Sequence, residues 1–304
     1  MRGLRRARLA AWTTTVVLGA VTLSACSSGG SAQSGAASGS SAPAVRPTRI
    51  YAAPAGLLDA AAPQQNGVVW LLAGSASARA IHALDLSTGA LVGIVPVSGT
   101  VSSLAQSSTG ELADGVATAT AGAVELRNGS TGALVATIPV GAPVRQLVFG
   151  ADGNTLYVLD GNGTSTSVTV VDTGSRSVQG SFGVGLHTVA VAPSPDQTSV
   201  WTLSSHGKVD QVAVAGGQVE TSFTVGRSGT DLVVSPTGSR LFVLKGASGA
   251  RNVAEVRVAT EQVRTVLPAP ADCVAIVLSA DGQTLYDAVG TPSLGNLQAF
   301  ALGG

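Results

Sequence analysis

The chain has 304 residues, of which 45% are hydrophobic, 11% are charged and 39 are glycines. A charged fraction so far below the roughly 25% of an average domain, combined with abundant Gly, Ala, Ser, Thr and Val, suits short strands and tight turns better than long helices. Seventeen basic residues balance seventeen acidic ones, but four of the basic residues lie within the first eight positions. The remainder is mildly acidic, which excludes a nucleic-acid binder, because such proteins need a basic stripe to neutralise phosphates.

The first 25 residues have the three parts of a secretion signal. Arginines at positions 2–8 precede an apolar run from Leu9 to Leu23, and small residues follow. The run is about 15 residues long, shorter than the roughly 20 that a helix needs to cross a bilayer. We therefore predict a cleaved signal peptide over residues 1–25, with a permanent transmembrane anchor as the alternative. The paired arginines at 5 and 6 leave both the general secretory and the twin-arginine export routes open.

The signal ends in Leu23-Ser24-Ala25-Cys26, which resembles the lipobox of bacterial lipoproteins. The resemblance implies that Cys26 becomes the first residue of the mature chain and carries acyl chains such as palmitate. These chains would hold the protein on the extracytoplasmic face of the bacterial cell membrane, each buried CH₂ contributing about 0.8 kcal/mol. Residues 27–47 are almost entirely small and polar, so residues 26–47 are predicted to be the lipidated cysteine and a flexible tether. Such a tether spans roughly 25 Å.

A tight turn followed by an apolar strand recurs six times in the rest of the chain, at intervals of 42 to 44 residues. The turns are Asn66-Gly67, Thr109-Gly110, Asp152-Gly153, Pro195-Asp196, Thr237-Gly238 and Asp281-Gly282. An aromatic residue follows five of these turns, namely Trp70, Tyr157, Trp201, Phe242 and Tyr286. The second copy has none, so we interpret it as a degenerate unit.

One unit contains four short β-branched segments, at 144–149, 155–159, 167–171 and 177–182. Four strands in a period of 40 to 50 residues are typical of a β-propeller blade. Residues 48–304 are thus predicted to form an all-β, six-bladed propeller of antiparallel sheets. The last copy stops after its third strand, at 296–302, and residues 49–55 look like an isolated fourth strand. We expect this N-terminal strand to close the last blade; seven blades are the alternative.

The units resemble the YVTN repeat of secreted bacterial and archaeal propellers. The likeness rests on VTVVDTGSRSVQGSFGVG followed by VAVAPSPDQTSVW, and on LFVLKG and LYVLDG. It covers residues 50–304 and is strongest in copies three to five. The aspartate of the third strand departs from the pattern in several copies. The resemblance implies a propeller but no particular activity, because the repeat is shared by enzymes and non-enzymes.

Propellers bind ligands at the mouth of the central channel, where loops enter the innermost strands. Polar residues predicted there are Ser102 and five candidate binding residues, Asp59, Arg145, His187, Asp231 and Asp272. Three carboxylates and a histidine around one axis suggest oxygen-rich metal coordination, as in gluconolactonase-like enzymes. These residues lie at different depths, however, and no catalytic motif accompanies them. Cys273 lies in an alternating apolar segment and is predicted to be a small buried residue, without a disulfide partner in the mature chain.

The sequence therefore predicts a monomeric, lipid-anchored propeller that needs no cofactor and binds another protein or a cell-envelope component. A metal-dependent hydrolase of the lactonase kind, with its site at the channel mouth, is the alternative. A structural spacer is a third reading. The identity of the ligand or partner is left open.

Overall fold

A computed structural model describes residues 45–62, 67–75, 78–97, 99–162, 165–247 and 250–303. The predicted signal peptide, Cys26, nearly all of the tether, and the turn residue Asn66 lie outside these ranges. The described chain is almost entirely β-strand, and a single 3₁₀ turn, Val258–Thr260, is its only helical segment. No helix among the described residues is long and apolar enough to cross a membrane.

The strands form six antiparallel sheets of four strands each, which confirms the predicted six-bladed β-propeller. Five of the sheets use four consecutive strands, the first of each being innermost. Blade 1 contains β2 (Leu57–Ala61), β3 (Val68–Ser75), β4 (Ala78–Asp85) and β5 (Leu91–Pro96). Blade 2 contains β6 (Thr100–Gln106), β7 (Glu111–Ala117), β8 (Gly122–Asn128) and β9 (Leu134–Val140). Blade 3 contains β10 (Val144–Phe149), β11 (Thr155–Gly161), β12 (Thr166–Asp172) and β13 (Ser177–Val184).

The remaining blades follow the same order along the chain. Blade 4 contains β14 (Thr188–Pro193), β15 (Ser199–Ser204), β16 (Lys208–Ala213) and β17 (Val219–Thr224). Blade 5 contains β18 (Gly229–Val234), β19 (Arg240–Lys245), β20 (Asn252–Arg257) and β21 (Gln262–Pro268). Blade 6 contains β22 (Cys273–Leu278), β23 (Thr284–Thr291), β24 (Leu294–Ala301) and, from the other end of the chain, β1 (Arg49–Ala53).

The N-terminal strand closes the ring, as the incomplete last repeat predicts. β1 pairs antiparallel with β24, from Arg49 opposite Ala299 to Ala53 opposite Gly295. The pairing extends to Thr48, whose N–H donates to the carbonyl of Ala299 at 2.7 Å. Each innermost strand also packs against the innermost strand of the next blade, with β22 against β2. The six sheets therefore surround one central channel without an open interface between blades.

Apolar clusters fill the six interfaces between neighbouring blades. The aromatic residue after each turn packs toward the next blade, as Tyr157 does between blades 3 and 4 and Phe242 does between blades 5 and 6. Ala113 occupies the equivalent place in blade 2, and the half-buried Phe149 of blade 3 packs into that interface instead. Blade 3 thus contributes an aromatic ring to the interface where the second repeat has none.

Candidate functional site

Every innermost strand carries a one-residue bulge at the same place, and the residue after the bulge is more buried than the bulged residue itself. The register shifts at Leu58 in β2, and at the equivalent residue of the other five innermost strands. The residues that follow the six bulges are Asp59, Ser103, Gln146, Ala190, Asp231 and Ala275. We call these six positions the channel ring.

Four side chains of the channel ring accept a hydrogen bond from the backbone of the next blade. Asp59 Oδ2 accepts from the N–H of Leu104 at 2.9 Å, and Ser103 Oγ accepts from that of Leu147 at 3.1 Å. In the same way Gln146 Oε1 accepts from Val191 at 2.6 Å, and Asp231 Oδ2 accepts from Ile276 at 2.8 Å. Because buried N–H groups need partners, these side chains join successive blades along the channel wall.

The side chains of the two alanines of the ring have no atom that can accept a hydrogen bond from the following blade. At each of these places the ring residue of the following blade is an aspartate. Asp231 follows Ala190, and its Oδ1 accepts from its own neighbour Leu232 at 2.9 Å. Asp59 follows Ala275 around the ring, and its Oδ1 accepts from Ala60 at 2.8 Å. Each aspartate therefore serves two N–H groups, its own blade's and the next blade's. All six equivalent N–H groups are satisfied by this arrangement.

Two further bonds tie the ring residues to one another. Ser103 Oγ donates to Asp59 Oδ2 at 2.8 Å, and Gln146 Nε2 donates to Asp231 Oδ1 at 3.1 Å. Burial raises the pKa of Asp59 to about 6. Burial also raises the pKa of Asp231 to about 7, and the nearby charge of Asp59 adds to this increase. The channel wall thus holds two carboxyls that titrate near neutral pH.

A cavity of about 340 Å³ opens above the channel ring at the end where the innermost strands turn back. Asp59, Gln146 and Asp231 line its polar part, and Asp59 keeps partial exposure there. Its walls and rim are mainly apolar, including Leu104, Ala105, Val148, Phe149, Ala151, Pro193, Pro195, Leu232, Val234, Pro236, Leu278 and Ala280. An apolar cavity with a few polar groups at its base is typical of a binding site.

The structure brings only two of the predicted mouth residues into this cavity. Asp59 and Asp231 line it, whereas Arg145, His187 and Asp272 are exposed and do not. Asp272 directly precedes β22, at the opposite end of the channel from the cavity. Their role as binding residues stays a prediction.

Two other side chains bear on the predicted mouth. Ser102 is half-buried and its hydroxyl donates to the carbonyl of Val144 at 2.7 Å. His187 lies edge-on to His206, with ring centres 5.0 Å apart. Among the described residues no group of three or more His, Cys, Asp or Glu is placed to hold a metal ion.

The sequence analysis did not predict Ser103 and Gln146 as site residues. The available signal was that each is a polar residue within an apolar strand, and that the two lie about one repeat apart. The bulge explains this difference. Because side chains alternate along a strand, one extra residue changes which of two neighbours directs its side chain to the next blade. Arg145 and Ser102 are the bulged residues, and Gln146 and Ser103 take the position that bonds to the next blade. A bulge leaves no mark in hydrophobic alternation that a single sequence reveals.

Two more carboxyls are buried on the second strands of blades 2 and 6. Asp114 and Asp287 are fully buried, and their pKa values are raised by burial to about 6 and about 7. Arg127 donates to both Asp114 and Glu125. Neither oxygen of Asp287 has a hydrogen-bond partner among the described residues. Cys273 is buried, as predicted, and burial raises the pKa of its thiol.

No family model and no curated protein matches this sequence. Among solved structures, the chain resembles hydrazine synthase of Kuenenia stuttgartiensis, with a TM-score of 0.62 and 18% sequence identity. The match covers 80% of this chain and 76% of that chain. At this identity the likeness extends to the fold alone.

Proposed function

We propose that the protein is a lipid-anchored, extracytoplasmic β-propeller of the YVTN-repeat kind, acting as a binding module for a protein or a cell-envelope component. The cavity above the channel ring carries this proposal. Its apolar walls suit a protruding apolar group of the partner, which would lie above a polar base whose carboxyl oxygens are already hydrogen-bonded. The lipobox and the tether support the location, and the mildly acidic composition argues against a nucleic-acid partner.

The buried carboxyls support binding rather than metal-assisted hydrolysis. Asp59 accepts three hydrogen bonds, from Ala60, Ser103 and Leu104, and these donors occupy the oxygen positions that a cation would need. Asp231 also accepts three, which leaves little coordinating capacity. One observation favours the lactonase-like alternative: the pKa of Asp231, about 7, suits a general acid or base.

Metal analysis of the purified full chain decides between the two functions. The binding module contains no stoichiometric metal. Bound Ca²⁺ or Zn²⁺ at one ion per chain, with hydrolysis of a simple lactone, would establish the alternative and reject the binding module.

Photo-crosslinking in the cells that make the protein tests the binding site. A photoreactive residue at Ala151, on the cavity rim, is compared with one at Leu186, an exposed residue of the loop between β13 and β14 at the opposite end. We expect a discrete crosslinked product from Ala151 and none from Leu186. Identical products from both positions, or none from either, would contradict a binding site at this cavity.

Cell fractionation tests the anchor. The wild-type chain is expected in the membrane fraction, whereas Cys26→Ala is expected to be unprocessed or released, because it lacks the thiol that accepts the acyl chains. Cys273→Ala is the matched control, since that thiol is buried in blade 6 and its loss leaves the lipobox intact. Firm membrane attachment of a processed Cys26→Ala chain would refute lipidation.

A further inference from the structure

Blade 5 differs from the other blades at the end of its sheet where the second strand begins. The first residue of that strand is Arg240, and it pairs with Arg257 of the third strand. The corresponding pairs of the other five blades contain no basic residue and are Val68 with Asp85, Glu111 with Asn128, Thr155 with Asp172, Ser199 with Ala213 and Thr284 with Ala301. Blade 5 therefore places two positive charges where the other blades place none.

A third arginine, Arg264, lies on the same face of the sheet. Because side chains alternate along a strand, Arg240 shares a face of β19 with Phe242, which packs toward blade 6. Phe242 is opposite Glu255, and Glu255 is opposite Arg264 of the outermost strand. This face thus carries two neighbouring rows of residues, Arg240, Arg257 and Gln262 in the first and Phe242, Glu255 and Arg264 in the second. We call Arg240, Arg257 and Arg264 the arginine cluster.

The three guanidinium groups of the arginine cluster have different contacts. Arg264 donates from Nη2 to Glu255 Oε2 at 3.1 Å, and the side chain of Glu255 is only 6% exposed, so this bond directs Arg264 back onto the sheet. The guanidinium carbon of Arg240 lies 5.5 Å from the ring centre of Phe242, which places this charge over the second row. Among the described residues, the side chains of Arg240 and Arg257 make no hydrogen bond and no ion pair.

The protein does not balance the charge of the arginine cluster. Arg240 and Arg257 are directly opposite each other, and like charges at such positions destabilise a sheet. Glu255 offsets one of the three positive charges. Glu261, in the turn before β21, is exposed and forms no ion pair in the described part of the chain. A bound anion would remove the repulsion that remains.

A pocket of about 240 Å³ lies at the arginine cluster. Its lining residues are Glu255, Arg257, Gln262, Val263 and Arg264. Guanidinium groups bind phosphate through paired N–H donors, and the amide of a glutamine side chain can add another donor. One guanidinium matches a planar carboxylate, whereas a tetrahedral phosphate presents oxygens to donors on several sides. Three arginines on one blade are too few for a nucleic-acid backbone, which needs a longer basic stripe.

We propose that the arginine cluster of blade 5 binds a phosphate group. The pocket is open to solvent, since Arg257 and Gln262 are exposed and the side chain of Arg264 is 67% exposed. It therefore has room for a free phosphate ion and for a phosphodiester of an envelope polymer, the rest of which stays outside. The pocket shares no lining residue with the cavity above the channel ring, so this inference depends neither on that cavity nor on the lipid anchor.

Phosphorus NMR of the purified full chain in a phosphate-free nonionic detergent tests the site. Inorganic phosphate is titrated at pH 7 and constant ionic strength, and its line broadening gives the Kd. We expect saturable binding to the wild-type chain and about tenfold weaker binding to Arg257→Gln, which lacks one charged donor. Arg227→Gln removes the same charge from an exposed position in the loop between β17 and β18, at the other end of the blades, and should bind as the wild-type chain does.

A short glycerol phosphate oligomer, titrated in the same way, distinguishes the two sources of phosphate. Oligomer binding that Arg257→Gln weakens supports the proposal with a polymer as the source. Binding of inorganic phosphate alone supports it with the free ion as the source. Glu255→Gln should tighten the binding severalfold, because it removes the acid that lines the pocket. No binding of either probe to the wild-type chain, or equal binding to Arg257→Gln and Arg227→Gln, would overturn the site.

Discussion

The buried aspartates of the channel ring and those of the second strands differ in what their carboxyls contact. Asp59 and Asp231 accept hydrogen bonds from backbone N–H groups of the neighbouring blade. Asp114 instead forms an ion pair with Arg127, and Asp287 has no hydrogen-bond partner among the described residues. Burial raises the pKa at all four, so their titration alone does not separate them. Only the first pair connects one blade to the next.

Replacing Arg127, the partner of Asp114 on the second strand of blade 2, should have the largest effect on the free energy of unfolding. Arg127→Ala leaves the fully buried Asp114 without its counter-charge, and we expect a loss of about 3–5 kcal/mol in the free energy of unfolding. Urea denaturation at pH 7 measures the loss. The loss should be smaller at pH 5, because Asp114, whose pKa is already raised to about 6, is then protonated.

Two variants sharpen this measurement. Arg264→Ala is the matched control, because Arg264 also pairs with a buried glutamate, Glu255, but is itself 67% exposed. That change should cost less than about 1 kcal/mol. Adding Asp114→Val to Arg127→Ala should restore much of the stability, since Val158 and Val243 occupy the same position in blades 3 and 5. Equal losses for Arg127→Ala and Arg264→Ala would contradict the importance of the buried pair.

Replacing Asp231 of the channel ring should cost less stability than Arg127→Ala, and the loss should depend on pH in the opposite sense. Asp231→Ala leaves the N–H groups of Leu232 and Ile276 without acceptors, and we expect a loss of about 1–3 kcal/mol by urea denaturation. The loss should be larger at pH 5 than at pH 8. Because the folded pKa of Asp231 is about 7, its carboxyl penalises the folded wild-type chain from about pH 4, where the unfolded carboxyl ionises, and the penalty grows until about pH 7. Removing the carboxyl therefore offsets more of the loss at pH 8 than at pH 5.

Asp231→Asn keeps one acceptor oxygen and should lose about half as much. Ala190→Ser provides a control at a ring position that has no acceptor in the wild-type chain, and it should change stability by less than about 0.5 kcal/mol. If Asp231→Ala leaves the free energy of unfolding unchanged at pH 5, the ring does not hold the blades together.

The fold was predictable from the sequence to within a few residues, because repeats and turns specify blades strongly. The first strand of blade 3 was predicted at 144–149 and is β10, whereas the second was predicted to end at 159 and continues to Gly161. Its last residues are not apolar, but they pair with Ser167 and Thr166 of the next strand. Backbone pairing of this kind is not visible in a hydrophobic pattern.

The candidate site was predictable only in part, for a reason that also lies in the backbone. Asp59 and Asp231 were placed near the channel from their position in the repeat, and they line the cavity. The bonds that they make depend on which N–H groups the bulges leave unpaired and on the alanines that precede them around the ring. These relations join residues about 45 positions apart, so they emerge only once neighbouring blades are in contact.

Asp287→Val should have the smallest effect and the opposite sign, a gain in stability. Its carboxyl accepts no hydrogen bond among the described residues, so its replacement leaves no donor behind. The folded pKa, about 7, lies above the value of about 3.9 in an unfolded chain, so the native state is penalised wherever the unfolded carboxyl is ionised. The penalty is complete above pH 7 and disappears below about pH 4.

We therefore expect Asp287→Val to gain about 1–2 kcal/mol at pH 8 and almost nothing at pH 4, measured by urea denaturation at both values. Thr202→Val, at the equivalent buried position of blade 4, controls for the added packing without changing a charge, and its effect should not depend on pH. A gain at pH 8 that persists at pH 4 would point to packing rather than to the carboxyl. A loss of stability at pH 8 would mean that the Asp287 carboxyl stabilises the folded chain. Asp287 would then not differ from Asp231, whose carboxyl accepts hydrogen bonds.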